Sequence, residues 1–268
     1  FRRVLFRSLL AEIGMVDCLT DGRLVLGVGS GYQPYEFERF GQDLATARPM
    51  LEEFLDMLEL AFAGDTFTYD GEHYQMPDTH ISARPVNGMP EIWVAGDNEF
   101  GHRLCARRGY TAMFTGRWLG AEYQAEMRAR VAASYVAEGR DPETMPLGVQ
   151  RFMCVTESRA ETMDYVDNAR HQMRLASALR RRAEVMDGAM MNEIPMQNEI
   201  SVEDMAENLL VGDCETVAQC LCDEIRASRP SHMMFHFQVG GSSHAQALNT
   251  MEKLMNDIKP LVERELGP

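Results

Sequence analysis

The stretch GRLVLGVGSGY, residues 22–32, decides how this chain is read. Leu24 to Val28 form an apolar run of strand length, and glycines stand at 27, 29 and 31 around Ser30. Such a run, closed by turn residues, predicts a buried strand over Leu24–Gly29. Glycine lets a backbone pass close to another group or take dihedrals that other residues avoid. A strand that ends in glycines is therefore suited to holding a phosphate or a flat ring.

Outward from this stretch, strand and helix signals alternate. Leu44–Phe62 predicts a helix with Leu51, Leu55, Leu58 and Phe62 on one face and Glu52, Glu53, Asp56 and Glu59 on the other. FTYDGEHYQM (67–76) predicts a hairpin with a two-residue turn at Asp70-Gly71. EIWVAG (91–96) predicts a second strand, followed by a helix from Glu99 to Arg108. TAMFTG (111–116) is a third, followed by a helix over Leu119–Glu138, and LGVQRFMCVT (147–156) is a fourth. A polar, Arg- and Met-rich insertion, 158–210, then breaks the rhythm, with one long helix predicted over Ser158–Met186. A helix over Asp213–Ser228, the strand HMMFHFQVGG (232–241) and a last helix over Ser243–Glu265 complete the pattern. Strands separated by crossover helices pair in parallel, which leaves an open doubly wound sheet or a (β/α) barrel.

The 268 residues carry a formal charge of −15. So acidic a chain is a poor nucleic-acid binder, because that affinity comes mostly from Lys and Arg on phosphates. No apolar stretch approaches the ~20 residues that span a bilayer, and no leader pattern suggests secretion. Six cysteines without a C-x-x-C pair read as reduced, mostly buried thiols of a cytoplasmic protein. The first eight residues, FRRVLFRS, read as a foreign segment or as a basic start to the helix that follows.

Ordinary motifs do not account for the glycines. A dinucleotide fingerprint needs a helix opening at the glycines and an acidic residue about 20 positions on, at a strand end. Pro34 and a predicted helix interior stand there instead. Ser30 lacks the glycine of a nucleophile elbow, since Val28 occupies that place. Glu99 and His102 have di-iron spacing but occur once, so they read as a surface helix pair and no metal is expected. His232 and His236 share a strand face and read as packing residues, and Arg180–Arg182 as a solvated helix face.

Three stretches together resemble the bacterial luciferase-like family of flavin-dependent monooxygenases. They are DGRLVLGVGSGYQPYEFERFG (21–41), FTYDGEHYQM with RPVNGMPEIWVAGDNEFGHRLCARRGY (67–110), and LLVGDCETVAQCL with HFQVGGSSHAQALNTMEKLMNDIKPLV (209–262). The resemblance implies a (β/α)8 TIM-type barrel over 9–268, present as strands four to eight, with the insertion before the last strand. Three units of a ~250-residue barrel come to roughly ninety residues. Leu24, Leu26, Trp93 and Phe114 are then expected to face the barrel interior.

The resemblance further implies flavin contacts at Gly29, Ser30, Gly31 and Tyr32, and at Gly96, Asp97, Asn98 and Thr115. Asp97 would cap the helix, while backbone at Gly96 and Asn98 meets the phosphate. Many relatives carry arginine where Ser30 stands. The implied activity is a two-component monooxygenase that takes reduced FMN from a separate flavin reductase, uses dioxygen and oxygenates a small organic substrate. A deazaflavin-dependent dehydrogenase or reductase and a non-catalytic flavin-binding relative are the alternatives. A homodimer is compatible with the family, no membrane contact is expected, and no residue is assigned as catalytic acid or base. Met186–Ile200 is expected to be a mobile cover over the pocket.

Overall fold

The computed structural model describes residues 2–267, with side chains from residue 6 onward. Phe1 and the side chains of residues 2–5, part of the suspected foreign segment, lie outside the described residues. The chain divides into two units at Val94/Ala95.

The first unit holds α1 (Arg2–Leu19), β1 (Val25–Val28), α2 (Pro34–Arg39), a 3-10 turn (Leu44–Thr46), α3 (Ala47–Ala63), β2 (Thr66–Asp70), β3 (Gln75–His80) and β4 (Glu91–Ala95). α1 continues without a break through the junction at residues 8 and 9. Phe6 is buried, edge-on to Phe54 at 5.5 Å. The buried Asp17 carboxylate accepts from the Val86 N–H at 2.7 Å and the Leu24 N–H at 3.2 Å, which ties the entry to β1 against α1. β1 and β4 pair in parallel, Val25 opposite Glu91 and Val28 opposite Val94. Leu51, Leu55, Leu58 and Phe62 of α3 are all buried, as their periodicity requires.

Two expectations fail in this unit. β1 is not buried: its residues alternate between exposed and half-buried, because among the described residues it pairs with β4 alone. The hairpin closes through four residues, 71–74, rather than two. Neither Asp70 nor Gly71 takes the positive φ that a two-residue type I′ turn requires. Instead the Glu53 carboxylate of α3 accepts from the N–H groups of Glu72, His73 and Tyr74, each at 2.9 Å.

The second unit holds α4 (Glu99–Arg108), β5 (Thr111–Thr115), α5 (Ala121–Ala137), a 3-10 turn (Pro142–Thr144), β6 (Leu147–Val155), α6 (Arg159–Arg181), β7 (Met186–Asp187), β8 (Met190–Met191), α7 (Val202–Asn208), β9 (Leu210–Gly212), α8 (Cys214–Ser228), β10 (His232–His236), α9 (His244–Lys253), a π segment (Leu254–Ile258) and α10 (Lys259–Leu266). β5 and β10 pair in parallel with the first part of β6, and β9 pairs in parallel with its last three residues. Strand–helix alternation with parallel pairing is what the sequence predicts. β9 is an addition, hidden at the end of the insertion. The predicted final helix carries a π segment just before Pro260, whose ring removes an N–H from the helix ladder. α6 stops at Arg181 rather than Met186, where Arg182 turns left-handed at φ 53°.

One face of this sheet packs on helices. Met153 and Val155 lie with Val217 and Leu221 of α8 and with Ile258. Arg151 is fully buried on this face and donates from Nε to Glu224 at 3.0 Å and from Nη2 to Glu224 at 2.6 Å. Phe114 also belongs here, packed at 6.4 Å and edge-on to Tyr123 of α5. Leu26 shares the alternation of Val28, which lines a cavity with α3 residues, and Leu24 precedes the strand. Leu26 and Phe114 thus lie on the helix-facing rows of their strands rather than inward, whereas Trp93, level with Gly27, lies on the opposite face from Val28.

Candidate functional site

The glycine loop follows β1. Gly31 has φ 77°, and a Cβ there would sit 2.7 Å from the Phe37 ring of α2. Glycine is required for both reasons, since side chains rarely adopt this backbone and Phe37 fills the space. A Cβ at Gly27 would meet nothing within 4 Å, so this glycine leaves open room beside β1. Ser30 Oγ donates to the Gly31 carbonyl at 3.4 Å, and Tyr32 is exposed. Gly27, Gly29 and Ser30 border a cavity of about 360 Å³ that Phe37, Met50 and Phe54 close on the helical side.

The second loop joins β4 to α4 and lies in the second unit. Asn98, not Asp97, caps α4: its Oδ1 accepts from the Gly101 N–H at 3.0 Å. Asp97 instead pairs with Arg117, which stands at φ 53° just beyond β5. The Arg117 carbonyl is in turn held by Nη1 of buried Arg151 at 3.1 Å. Arg130 adds a bond to the Asp97 carbonyl at 3.0 Å. The Gly96 N–H is committed to the Met113 carbonyl at 2.9 Å and the Gly101 N–H to Asn98, so an anion here meets the positive end of the α4 dipole. His102, expected on the surface beside Glu99, is buried, and burial lowers its pKa, so it is neutral near pH 7.

The face of the β5–β6–β10 sheet away from α8 is partly open. Strand alternation places Thr115, Gln150 and Met234 in one row across it, since Gln150 is level with both Thr115 and Met234. Thr115 is exposed and Met234 is 42% exposed. In the next row His236 packs on Phe152 at 5.5 Å, and burial lowers the His236 pKa. Gln150 is the one residue of β6 that is not buried, yet its Nε2 is enclosed without a hydrogen-bond partner. Sequence reasoning missed Gln150. The available signal was a pair of polar residues, Gln150-Arg151, inside an apolar strand.

The insertion is buried at both ends and exposed in its middle. Arg174 of α6 pairs with both Glu193 and Glu199, and Arg174 chiefly holds the Glu199 carboxyl below its ordinary range. The β7–β8 hairpin exposes Met186 and Met190. Tyr165 of α6 ties this region to the sheet, accepting from the Met153 N–H at 2.9 Å and donating to the His236 carbonyl. Cys105, Cys154 and Cys222 are buried, whereas Cys18 is exposed. Among the described residues no helix is long and apolar enough to cross a membrane.

Comparison with known proteins gives a consistent result. A family model described as luciferase-like monooxygenase matches residues 8–231. An uncharacterized protein, y4vJ, of Sinorhizobium fredii is 34% identical over 263 residues, which cover 97% of this chain and 75% of that protein. The oxygenase component of a flavin-dependent trigonelline monooxygenase of Acinetobacter baylyi is 30% identical over 43% of this chain and 32% of its own length. An FMNH(2)-dependent dimethylsulfone monooxygenase of Pseudomonas fluorescens is 26% identical over 56% of this chain and 40% of its own length. Among solved structures, monooxygenase RslO1 of Streptomyces bottropensis superposes with a TM-score of 0.75 at 18% identity, over 95% of this chain and 74% of that one. An F420-dependent secondary alcohol dehydrogenase superposes with a TM-score of 0.69 at 14% identity, over 97% and 74%. The fold is thus a partial (β/α) barrel of this type.

Proposed function

The chain belongs to the luciferase-like monooxygenase family, and on that premise we propose that it serves a monooxygenase that uses reduced FMN and dioxygen to oxygenate a small organic substrate. In this reading a separate flavin reductase supplies the reduced FMN, as the oxygenase-component and FMNH(2)-dependent relatives suggest. The reaction is assigned to the cytoplasm.

The observation that carries the reading is the Asp97–Arg117 pair at the first turn of α4. A carboxylate beside a helix N-terminus would repel a phosphate. Arg117 offsets that charge, and the α4 dipole favours an anion there. The residues present therefore fit a flavin phosphate. In the first unit, the glycine loop with its open side at Gly27 suits close approach of a cofactor to backbone.

Bound reduced flavin would supply the electrons that activate dioxygen; the chain's own groups bind, orient and exclude water. Asn98 fixes the first turn of α4, Arg151 fixes the carbonyl of Arg117, and Thr115 presents its hydroxyl on the open sheet face. The insertion acts as a cover, held through Arg174 and free to move at its methionine-bearing hairpin. Oxygen uptake by the protein with reduced FMN tests the reading. Substrate-dependent uptake with oxygenated product supports it. Hydride transfer between the substrate and an added deazaflavin coenzyme, without oxygen uptake, would assign a deazaflavin-dependent dehydrogenase instead.

A further inference from the structure

We propose that Gln150 reads the imide edge of the flavin ring, a recognition contact on the open face of the β5–β6–β10 sheet. The inference rests on the flavin reading above and adds the part of the cofactor that this sheet contacts.

The argument begins with β6. Eight of its nine residues are buried, and the exception is Gln150. Its backbone is fixed, because its carbonyl accepts from the Gly116 N–H at 3.0 Å and its neighbours on both sides are paired strands. Its side chain is not: Nε2 is enclosed with no partner among the described residues. A buried amide donor without an acceptor is uncommon in folded proteins, and each case asks for an explanation.

The surroundings narrow the explanation. The row holds Thr115, Gln150 and Met234, and the next row holds Phe152 and His236. None is a carboxylate, lysine or arginine, and His236 is held neutral by burial, so this row is not built for a charged group. It offers a hydroxyl, an amide and an apolar thioether, all suited to a flat, neutral, polar-edged ring. A primary amide presents a donor and an acceptor side by side. That pair is complementary to an imide edge, where a carbonyl oxygen lies next to a ring N–H.

The test uses the full chain, wild type and Gln150→Leu, titrated with FMN, lumiflavin and 3-methyllumiflavin while flavin fluorescence is followed. Lumiflavin has the ring without the phosphate, and the 3-methyl group blocks the imide N–H. Gln150→Leu should weaken FMN and lumiflavin by about tenfold, the worth of one hydrogen bond. The wild type should bind 3-methyllumiflavin about tenfold more weakly than lumiflavin, and Gln150→Leu should bind the two alike. The probe comparison on the wild type needs no substitution, so it stands even where the variant folds poorly. Wild-type binding of FMN with no 3-methyl effect overturns the Gln150 contact alone. Failure of the wild type to bind either FMN or lumiflavin overturns the flavin reading and this contact with it.

Discussion

Strands β1 and β6 are written in similar apolar letters and meet different fates. β1, VLGV, pairs with one strand among the described residues and alternates between exposed and half-buried positions. β6, LGVQRFMCV, pairs with β5 and β10 along its first part and with β9 at its end, and it buries every residue but Gln150. The difference teaches that an apolar run states what a strand tolerates, while its neighbours decide whether it is covered. It also sets β6 among three paired strands of the second unit, whereas the glycine loop after β1 follows a strand that is only half covered.

That contrast can be broken hardest at Arg151. Glu224→Ala leaves a guanidinium with no exposed surface without its carboxylate. Loss of one partner of a buried pair costs about 3–5 kcal/mol. A urea melt should show this loss, whereas Val25→Ala, at a position 38% exposed on β1, should shift the same melt by only about 0.5 kcal/mol. Equal effects would dissolve the comparison.

A smaller effect belongs to the hairpin of the first unit. Glu53→Ala removes the acceptor for three backbone N–H groups and should destabilise that unit by about 1–3 kcal/mol. Hydrogen exchange at residues 72–74 should accelerate more than exchange in β6. Unchanged exchange there would show that water replaces the carboxylate without loss.

Gly31→Val tests the exposed end of β1. Valine would have to adopt φ 77° and would strike the Phe37 ring, so the loop must shift. FMN affinity should fall while the urea melt moves little. The reverse outcome, a large stability loss with intact flavin affinity, would make the glycine structural only.

The smallest effect is a pH response confined to the insertion. Arg174 holds the Glu199 carboxyl below its ordinary 4.5, so the pair stabilises fully above pH 4.5. The contribution is lost as pH falls through the lower folded value. Pepsin should cut within residues 186–200 faster as the pH drops below 4.5, and Arg174→Ala should remove that dependence. Cleavage that begins elsewhere at every pH would count against a mobile cover.

Much of the frame was legible in the sequence because the local signals agreed with one another. Helix α4 begins at Glu99 and ends at Arg108 as read, since Asn98 caps one end and Gly109 turns left-handed at the other. The stripe on α3 was legible for the same reason. What was not legible depends on residues distant in sequence. Asp97 was read as a cap because aspartate often caps, but Arg117, twenty positions on, claims its carboxylate and Asn98 takes the role. Asp70-Gly71 carries the signature of a tight turn, yet Glu53 draws the next three N–H groups into a wider one. Gln150-Arg151 stood out as a polar pair in an apolar strand, but only register set Gln150 beside Thr115.

The account rests most directly on the phosphate end of the flavin, and one titration addresses it. FMN and riboflavin, which differ only by the phosphate, are added to the full chain while flavin fluorescence is followed, with Arg117→Ala run alongside. Saturable binding of FMN at least tenfold tighter than riboflavin, with that preference lost in Arg117→Ala as the Asp97 carboxylate loses its counter-charge, is the predicted result. Equal binding of FMN and riboflavin, or an undiminished preference in Arg117→Ala, would contradict it.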